Sequence, residues 1–250
     1  MSTQAKDRRA KIEAAKPKGR GGANKVVVAT VVAVLAIAAI VAAVIVADQG
    51  KKADLAAGGS SLPKNAPAMG AGLVVNPSAP ANVPTLDLWV DFQCPACASF
   101  EESFGDQMAQ MTQDNEVRLV VHVLSFLDSN LGNDSSNRAA NAAFCAADQD
   151  AFLPYHQAVF AGQPQREGQG YTDGQLTEFA GKAGLSGAAL NTWQQCYEAR
   201  AHNQYVGSVQ TQSAKDGING TPTLKLNGQP LELQGLTPQS FAEQVKAATR

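Results

Sequence analysis

Two cysteines, Cys94 and Cys97, stand three positions apart in the stretch DFQCPACASFEE (91–102), separated by Pro95 and Ala96. Thiols at that spacing can clip a metal, staple a loop or carry electrons. A structural zinc site needs four ligands, and the three histidines, His122, His156 and His202, are scattered singly along the chain, so no metal site is expected. A permanent disulfide here would close a very small loop and remove little entropy from the unfolded chain. What the spacing does achieve is to place Cys94 at the end of a strand and Cys97 in the first turn of the helix behind it. Unpaired amides and the macrodipole at that helix start favour a thiolate on Cys94. A lowered thiol pKa stabilises the dithiol relative to the disulfide and makes the oxidised pair a stronger oxidant. Exchange then runs through a mixed disulfide at Cys94.

The flanking elements fit that placement. Thr85–Phe92 (TLDLWVDF) has the β-forming content and length of a strand. From Cys97 onward Phe100, Phe104, Met108 and Met111 form one helical stripe, and Val117–Leu124 comes next as a second, almost wholly apolar strand. Strand, helix, strand in this order predicts a βαβ unit with parallel strands. Gly72–Val75 is a shorter extended run before it. Residues 134–216 change character, becoming rich in Ala and Gln with several helix starts. Thr172 and Gln175 fit a capping box, and Ser186 is a further N-cap candidate. Extended structure resumes after Gly220-Thr221-Pro222, with Asn227-Gly228 as a type I′ hairpin signal. A last helix opens at Thr237-Pro238, with Leu236 placed to staple onto Phe241. The fold class is therefore α/β with an inserted helical block.

Cys145 and Cys196 both fall in that block, 51 residues apart. Four cysteines allow three pairings; if Cys94 pairs with Cys97, only Cys145–Cys196 is left. A structural disulfide is expected there.

The N-terminal portion is of another kind. Residues 26–46 (VVVATVVAVLAIAAIVAAVIV) carry no charge, and at about 1.5 Å per residue they match a hydrocarbon core. Eight Lys and Arg against Asp7 and Glu13 precede them, so the positive-inside bias keeps residues 1–25 cytoplasmic and sends the chain beyond Ala47 across the membrane. The apolar core is longer than that of a cleaved signal peptide, and bulky residues precede Ala47, which favours an uncleaved single-pass anchor over 26–47. Residues 48–69, small, polar and broken by Gly and Pro, read as a flexible linker to a domain at 70–250. With the basic tail set aside, the rest of the chain carries 12 Lys and Arg against 20 Asp and Glu, which argues against a nucleic-acid partner. The tail suits anionic lipid instead. All four cysteines lie beyond the apolar segment, on the oxidising side where disulfides persist.

The joint pattern of strand, CPAC, helix, strand, helical insertion and Gly-Thr-Pro-Thr opening a hairpin resembles the DsbA-like branch of the thioredoxin-fold thiol-disulfide oxidoreductases, in the membrane-anchored form of actinobacteria. The resemblance covers roughly Gly70 to Arg250. It implies that Cys94 is the nucleophile, that Cys97 is the resolving thiol, and that Thr221-Pro222 is a cis-proline loop beside them where an extended substrate could add as a strand. It implies catalysis without a bound cofactor, exported proteins with unpaired cysteine thiols as substrates, and a DsbB- or VKOR-type membrane partner for reoxidation. Two departures stand out. Many relatives bury an acid six positions before the nucleophile, where this chain has Leu88, although Asp91 matches the common Asp-aromatic-x-Cys-Pro pattern. The strongest oxidant of the family has histidine where Ala96 stands, so this thiolate lacks one stabiliser. A reductase or isomerase on the same fold, and a non-catalytic anchored binding module, are the alternative readings.

Overall fold

The strand predicted at 85–92 lies at the centre of the sheet. In chain order the computed structural model gives β1 (Leu73–Val74), β2 (Thr85–Asp91), α1 (Pro95–Gln113), β3 (Arg118–Leu124) and the short α2 (Leu127–Leu131). Then come α3 (Ser135–Ala147), α4 (Phe152–Ala161), α5 (Asp173–Lys182), α6 (Gly187–Glu198), α7 (Asn203–Lys215), β4 (Thr223–Leu226), β5 (Gln229–Pro230) and α8 (Pro238–Ala247). The structure describes residues 59–248. The expected tail 1–25, the membrane helix 26–47 and the first part of the linker lie outside these residues. Among the described residues no helix is long and apolar enough to cross a membrane.

The sheet order is β1-β3-β2-β4-β5. β2 and β3 pair in parallel, as the βαβ reading requires, and β4 runs antiparallel to β2 on its other side. Buried between two neighbours, β2 has no polar face over its second half, which is why its sequence does not alternate. Leu88 sits opposite Val121 on one side and Leu224 on the other, wholly enclosed. The position where relatives carry an acid is here part of the apolar core.

Helix α1 lays Phe100, Phe104, Met108 and Met111 into the core, with the Phe104 ring 5.7 Å from that of Phe241 on α8. Full burial of a ring such as Phe241 contributes about 2 kcal/mol. A capping box of Thr237 and Ser240 starts α8, with Pro238 in its first turn. Asn227 and Gly228 take positive φ of 49° and 78° to turn β4 into β5.

The helical block is organised around α3, in which Ala139, Ala140, Ala142, Ala143, Phe144, Cys145 and Ala146 are all fully enclosed. A helix covered on nearly every side needs small residues for close approach, which accounts for the Ala-rich composition. Cys145 on α3 is bonded to Cys196 on α6, and between the same helices Trp193 Nε1 donates to the Ala142 carbonyl at 2.9 Å. The box of Thr172 and Gln175 caps α5. Ser186 is the N-cap of α6 without a side-chain capping bond.

Residues 59–69, read from the sequence as the end of a flexible linker, are held against the block. Gly59 N donates to Arg200 O, Ser61 N to Ala201 O, and Lys64 N to the Asp148 carboxylate. The His202 ring is held from both sides, its Nδ1 2.9 Å from Ser61 O and its Nε2 2.8 Å from the Asp148 carboxylate. Composition gives no hint of these bonds, because the partners lie more than 80 residues apart in the chain.

Candidate active site

Cys94 is the N-cap of α1, with extended backbone (φ −77°, ψ 117°) and Pro95 next to it in the first turn. Its amide donates to Asp91 O at 2.9 Å, which folds the chain into a tight turn at the end of β2. Its carbonyl accepts from Cys97 N at 3.1 Å and Ala98 N at 3.2 Å, starting the helix. Pro95 lacks the amide that would be unpaired there in any case. Pro95 and Ala96 are exposed, Cys97 is wholly buried, and Cys94 is only 8% exposed. The pair is in the dithiol form.

The cover over Cys94 comes from the far end of the chain. Trp89 on β2 pairs with Thr223 on β4, so the two residues just before Thr223 come level with Val90 and Asp91, at the end of the strand that leads to Cys94. Thr221-Pro222 is joined by a cis peptide bond, and the Cys94 sulfur lies 3.5 Å from the Thr221 carbonyl oxygen. The site residues separated most widely in sequence thus meet at one place.

The two thiols are polarised in opposite directions. Cys94 is pulled down from 9.0 to about 6, chiefly by hydrogen bonding from the Cys97 thiol. Burial opposes this, while the Thr221 side chain and the amides of Cys97 and Ala96 add to it. Cys97 is pushed far up, first by burial and then by the charge and hydrogen bonding of Cys94. The helix start therefore acts as the sequence suggests, but with a smaller share than the neighbouring thiol. The Thr221 hydroxyl is buried without a partner in the dithiol and becomes a donor when a sulfur ionises. Chemically, this is one thiol that ionises readily and one that stays protonated beside it, the asymmetry that thiol-disulfide exchange uses.

Beneath Cys94 lies a set of polar residues with little local sequence signal. The Asp91 carboxylate, fully buried, accepts from Gln93 N, Leu127 N and the Ser136 hydroxyl. Burial raises its pKa from 3.8 to about 7 against those bonds, with the Asp128 charge adding to the rise. Gln163 Nε2 donates to the carbonyls of Phe92 (2.7 Å) and Cys94 (3.1 Å), and the Tyr171 hydroxyl to Phe92 O (2.7 Å). Only Asp91 is marked by its motif. The three histidines are spread among separate carboxylates: His122 with Asp87, His156 with Glu101, and His202 with Asp148. Cys145, Cys196 and His202 bring three donor atoms within 4.8 Å. The two sulfurs are bonded to each other, and the His202 nitrogens already have Ser61 O and the Asp148 carboxylate as partners.

A family model described as Thioredoxin matches residues 76–247. The chain belongs to the thioredoxin family. Among solved structures, this thioredoxin-family chain resembles reduced DsbA of Mycobacterium tuberculosis at 26% identity and TM-score 0.55, over 68% of this chain and 89% of that one. DsbG of the same organism is 25% identical over 68% and 85%, with a TM-score of 0.55. MdbA of Corynebacterium diphtheriae, a thiol-disulfide oxidoreductase, shares the fold at TM-score 0.57 and 19% identity, over 75% and 95%. A curated relative, the serine/threonine-protein kinase PknE of M. tuberculosis, is 27% identical over 136 residues. That match spans 52% of this chain and 23% of PknE, so the kinase's activity is not carried over. The fold is thioredoxin-like, a mixed sheet with helices, and the structural neighbours are thiol-disulfide oxidoreductases of the DsbA type.

Proposed function

We propose that this protein is a membrane-tethered, extracytoplasmic thiol-disulfide oxidoreductase that introduces disulfides into exported proteins through Cys94 and Cys97. The observation that carries the reading is the opposed polarisation of the two thiols, Cys94 down to about 6 and Cys97 upward, beside the Thr221 carbonyl. In the oxidised pair a substrate thiolate attacks the Cys94 sulfur. The Cys94–Cys97 bond breaks, a mixed disulfide forms, and Cys97 leaves as a thiolate and takes up a proton. A second thiolate on the substrate then attacks the substrate sulfur of the mixed disulfide. Cys94 leaves as a thiolate, and the substrate departs with one new disulfide and two fewer electrons. In this reading the Thr221 carbonyl, beside the Cys94 sulfur, accepts an amide from an extended substrate segment. A stabilised Cys94 thiolate favours it as leaving group and supports the oxidising direction.

Each turnover leaves two electrons on the pair, so a membrane oxidant of the DsbB or VKOR type is proposed to remove them. The uncharged run 26–46 behind a basic tail supports the anchor and the topology. Refolding of a reduced, disulfide-containing substrate by the full chain, with Cys94→Ala as control, tests the function. Activity lost in the variant is the expected result, and equal activity in both would end the proposal. Direction is read from the reduction potential: a value nearer about −120 mV fits an oxidase, one nearer about −270 mV a reductase.

A further inference from the structure

Each of the four residues that carry the chain from β2 into α1 is hydrogen-bonded to a side chain of the helical block. Asp91 receives the Ser136 hydroxyl. Phe92 O receives both Gln163 and Tyr171. Gln93 Nε2 reaches Asp128, Asn133 and Ser136, each at 2.9 Å. Cys94 O receives Gln163. The Phe92 carbonyl is the informative one. It lies beyond the last β2–β3 pair, Asp91 with Leu124, its residue is fully enclosed, and its hydrogen-bond donors among the described residues are these two side chains. A buried carbonyl left without a donor is costly, so the turn would shift to find one.

The direction of that turn decides where the Cys94 sulfur points. The groups that stabilise its charge are directional: the amides of Ala96 and Cys97, the Cys97 thiol and the Thr221 hydroxyl. They come from α1 and from the loop before β4, whereas the turn is fixed from a third side by the block.

We propose that Ser136, Gln163 and Tyr171 are positioning residues for the Cys94 sulfur, so that the helical block sets the redox equilibrium of the cysteine pair. The proposal rests on the exchange chemistry given under Proposed function.

The test is redox titration of the full chain, purified in detergent, in glutathione buffers. Alkylation and mass mapping of the peptide that carries Cys94 and Cys97 separates this pair from Cys145–Cys196. Tyr171→Phe removes one hydroxyl at constant size, and Tyr171→Phe with Gln163→Ala leaves Phe92 O without its donors. Ser136→Ala removes the bond to Asp91. Thr172→Ala removes a helix cap in the same block without touching the turn, and controls for loss of stability alone.

The expected result is a shift of the equilibrium with glutathione toward the disulfide, about tenfold in the double variant and smaller in each single one, with a higher Cys94 titration midpoint. Thr172→Ala is expected to keep the wild-type equilibrium. Variants that all keep the wild-type equilibrium, or a control that shifts as far as they do, would overturn the inference. Should the double variant not fold, the Tyr171→Phe and Ser136→Ala singles decide in the same way. A wild-type pair that does not exchange with glutathione would instead defeat the functional reading, which keeps the two failures apart.

Discussion

The Cys94 sulfur lies 3.5 Å from the carbonyl oxygen of Thr221, 127 residues further along the chain. The contact is a consequence of sheet register, since β4 runs back along β2 with Thr223 opposite Trp89. Beside the contact Pro95 and Ala96 are exposed, while Cys94 itself is 8% exposed.

Because Cys94 is pulled down to about 6 from 9.0, this group holds fewer protons in the folded dithiol protein than in the unfolded chain between these values. Its contribution to stability therefore rises with pH across that window and is lost as pH falls through about 6. The gain is about 1 kcal/mol at pH 7 and roughly 4 kcal/mol above pH 9. In urea unfolding of reduced residues 54–250, the stability difference between wild type and Cys94→Ala is expected to grow by this amount as pH rises. Parallel pH profiles for the two proteins would contradict the assignment.

Thr221→Val keeps the shape of the side chain and removes the buried hydroxyl. That hydroxyl has no partner in the dithiol and lowers both thiols, so the Cys94 midpoint is expected to rise by up to about one unit, the value of one neutral hydrogen bond. Thiolate absorbance near 240 nm, titrated against pH, reads it directly. An unchanged midpoint would remove Thr221 from the stabilising set.

Much of the frame is legible in the sequence because its signals are local. Thr85–Phe92 reads as a strand from β-forming content and length, Val117–Leu124 from its nearly continuous apolar run, Phe100–Met111 as a helix from its period, and Thr172/Gln175 and Asn227-Gly228 from the backbone geometry they satisfy. What escapes is set by contacts far apart in sequence. Short α2 has too few residues for a period. Nothing local marks Gln163 or Tyr171 as donors to a carbonyl some 70 to 80 positions upstream. The sequence credits the stabilisation of Cys94 to the start of α1, whereas the largest share comes from the Cys97 thiol, whose orientation only the folded turn defines.

Asp91 supplies an opposite pH dependence. Burial lifts its folded pKa from 3.8 to about 7, so its contribution is fully present below 3.8 and is lost as pH rises through about 7. Asp128, lifted by burial to about 6, acts in the same sense. In the oxidised protein Cys94 does not titrate, which isolates the effect. Asp91→Asn keeps an acceptor for Ser136 but removes the charge. Thermal melts at pH 5 and pH 8 are expected to differ less in this variant than in wild type; an equal difference would show that Asp91 is not the group responsible.

The Cys145–Cys196 bridge closes a separation of 51 residues, for which the chain-entropy model gives about 4 kcal/mol. It joins α3 to α6, beside the Trp193–Ala142 hydrogen bond. The same helix α3 carries Ser136, whose hydroxyl donates to Asp91. Replacing both cysteines by alanine is expected to lower the urea-unfolding free energy of residues 54–250 by roughly 3 to 4 kcal/mol, while Cys94 keeps its low midpoint below the transition. A loss under about 1 kcal/mol would mean that α3 and α6 are held together by packing alone, with the bridge adding little. A Cys94 midpoint that rose in the same folded variant would mean that the bridge reaches the site through Ser136.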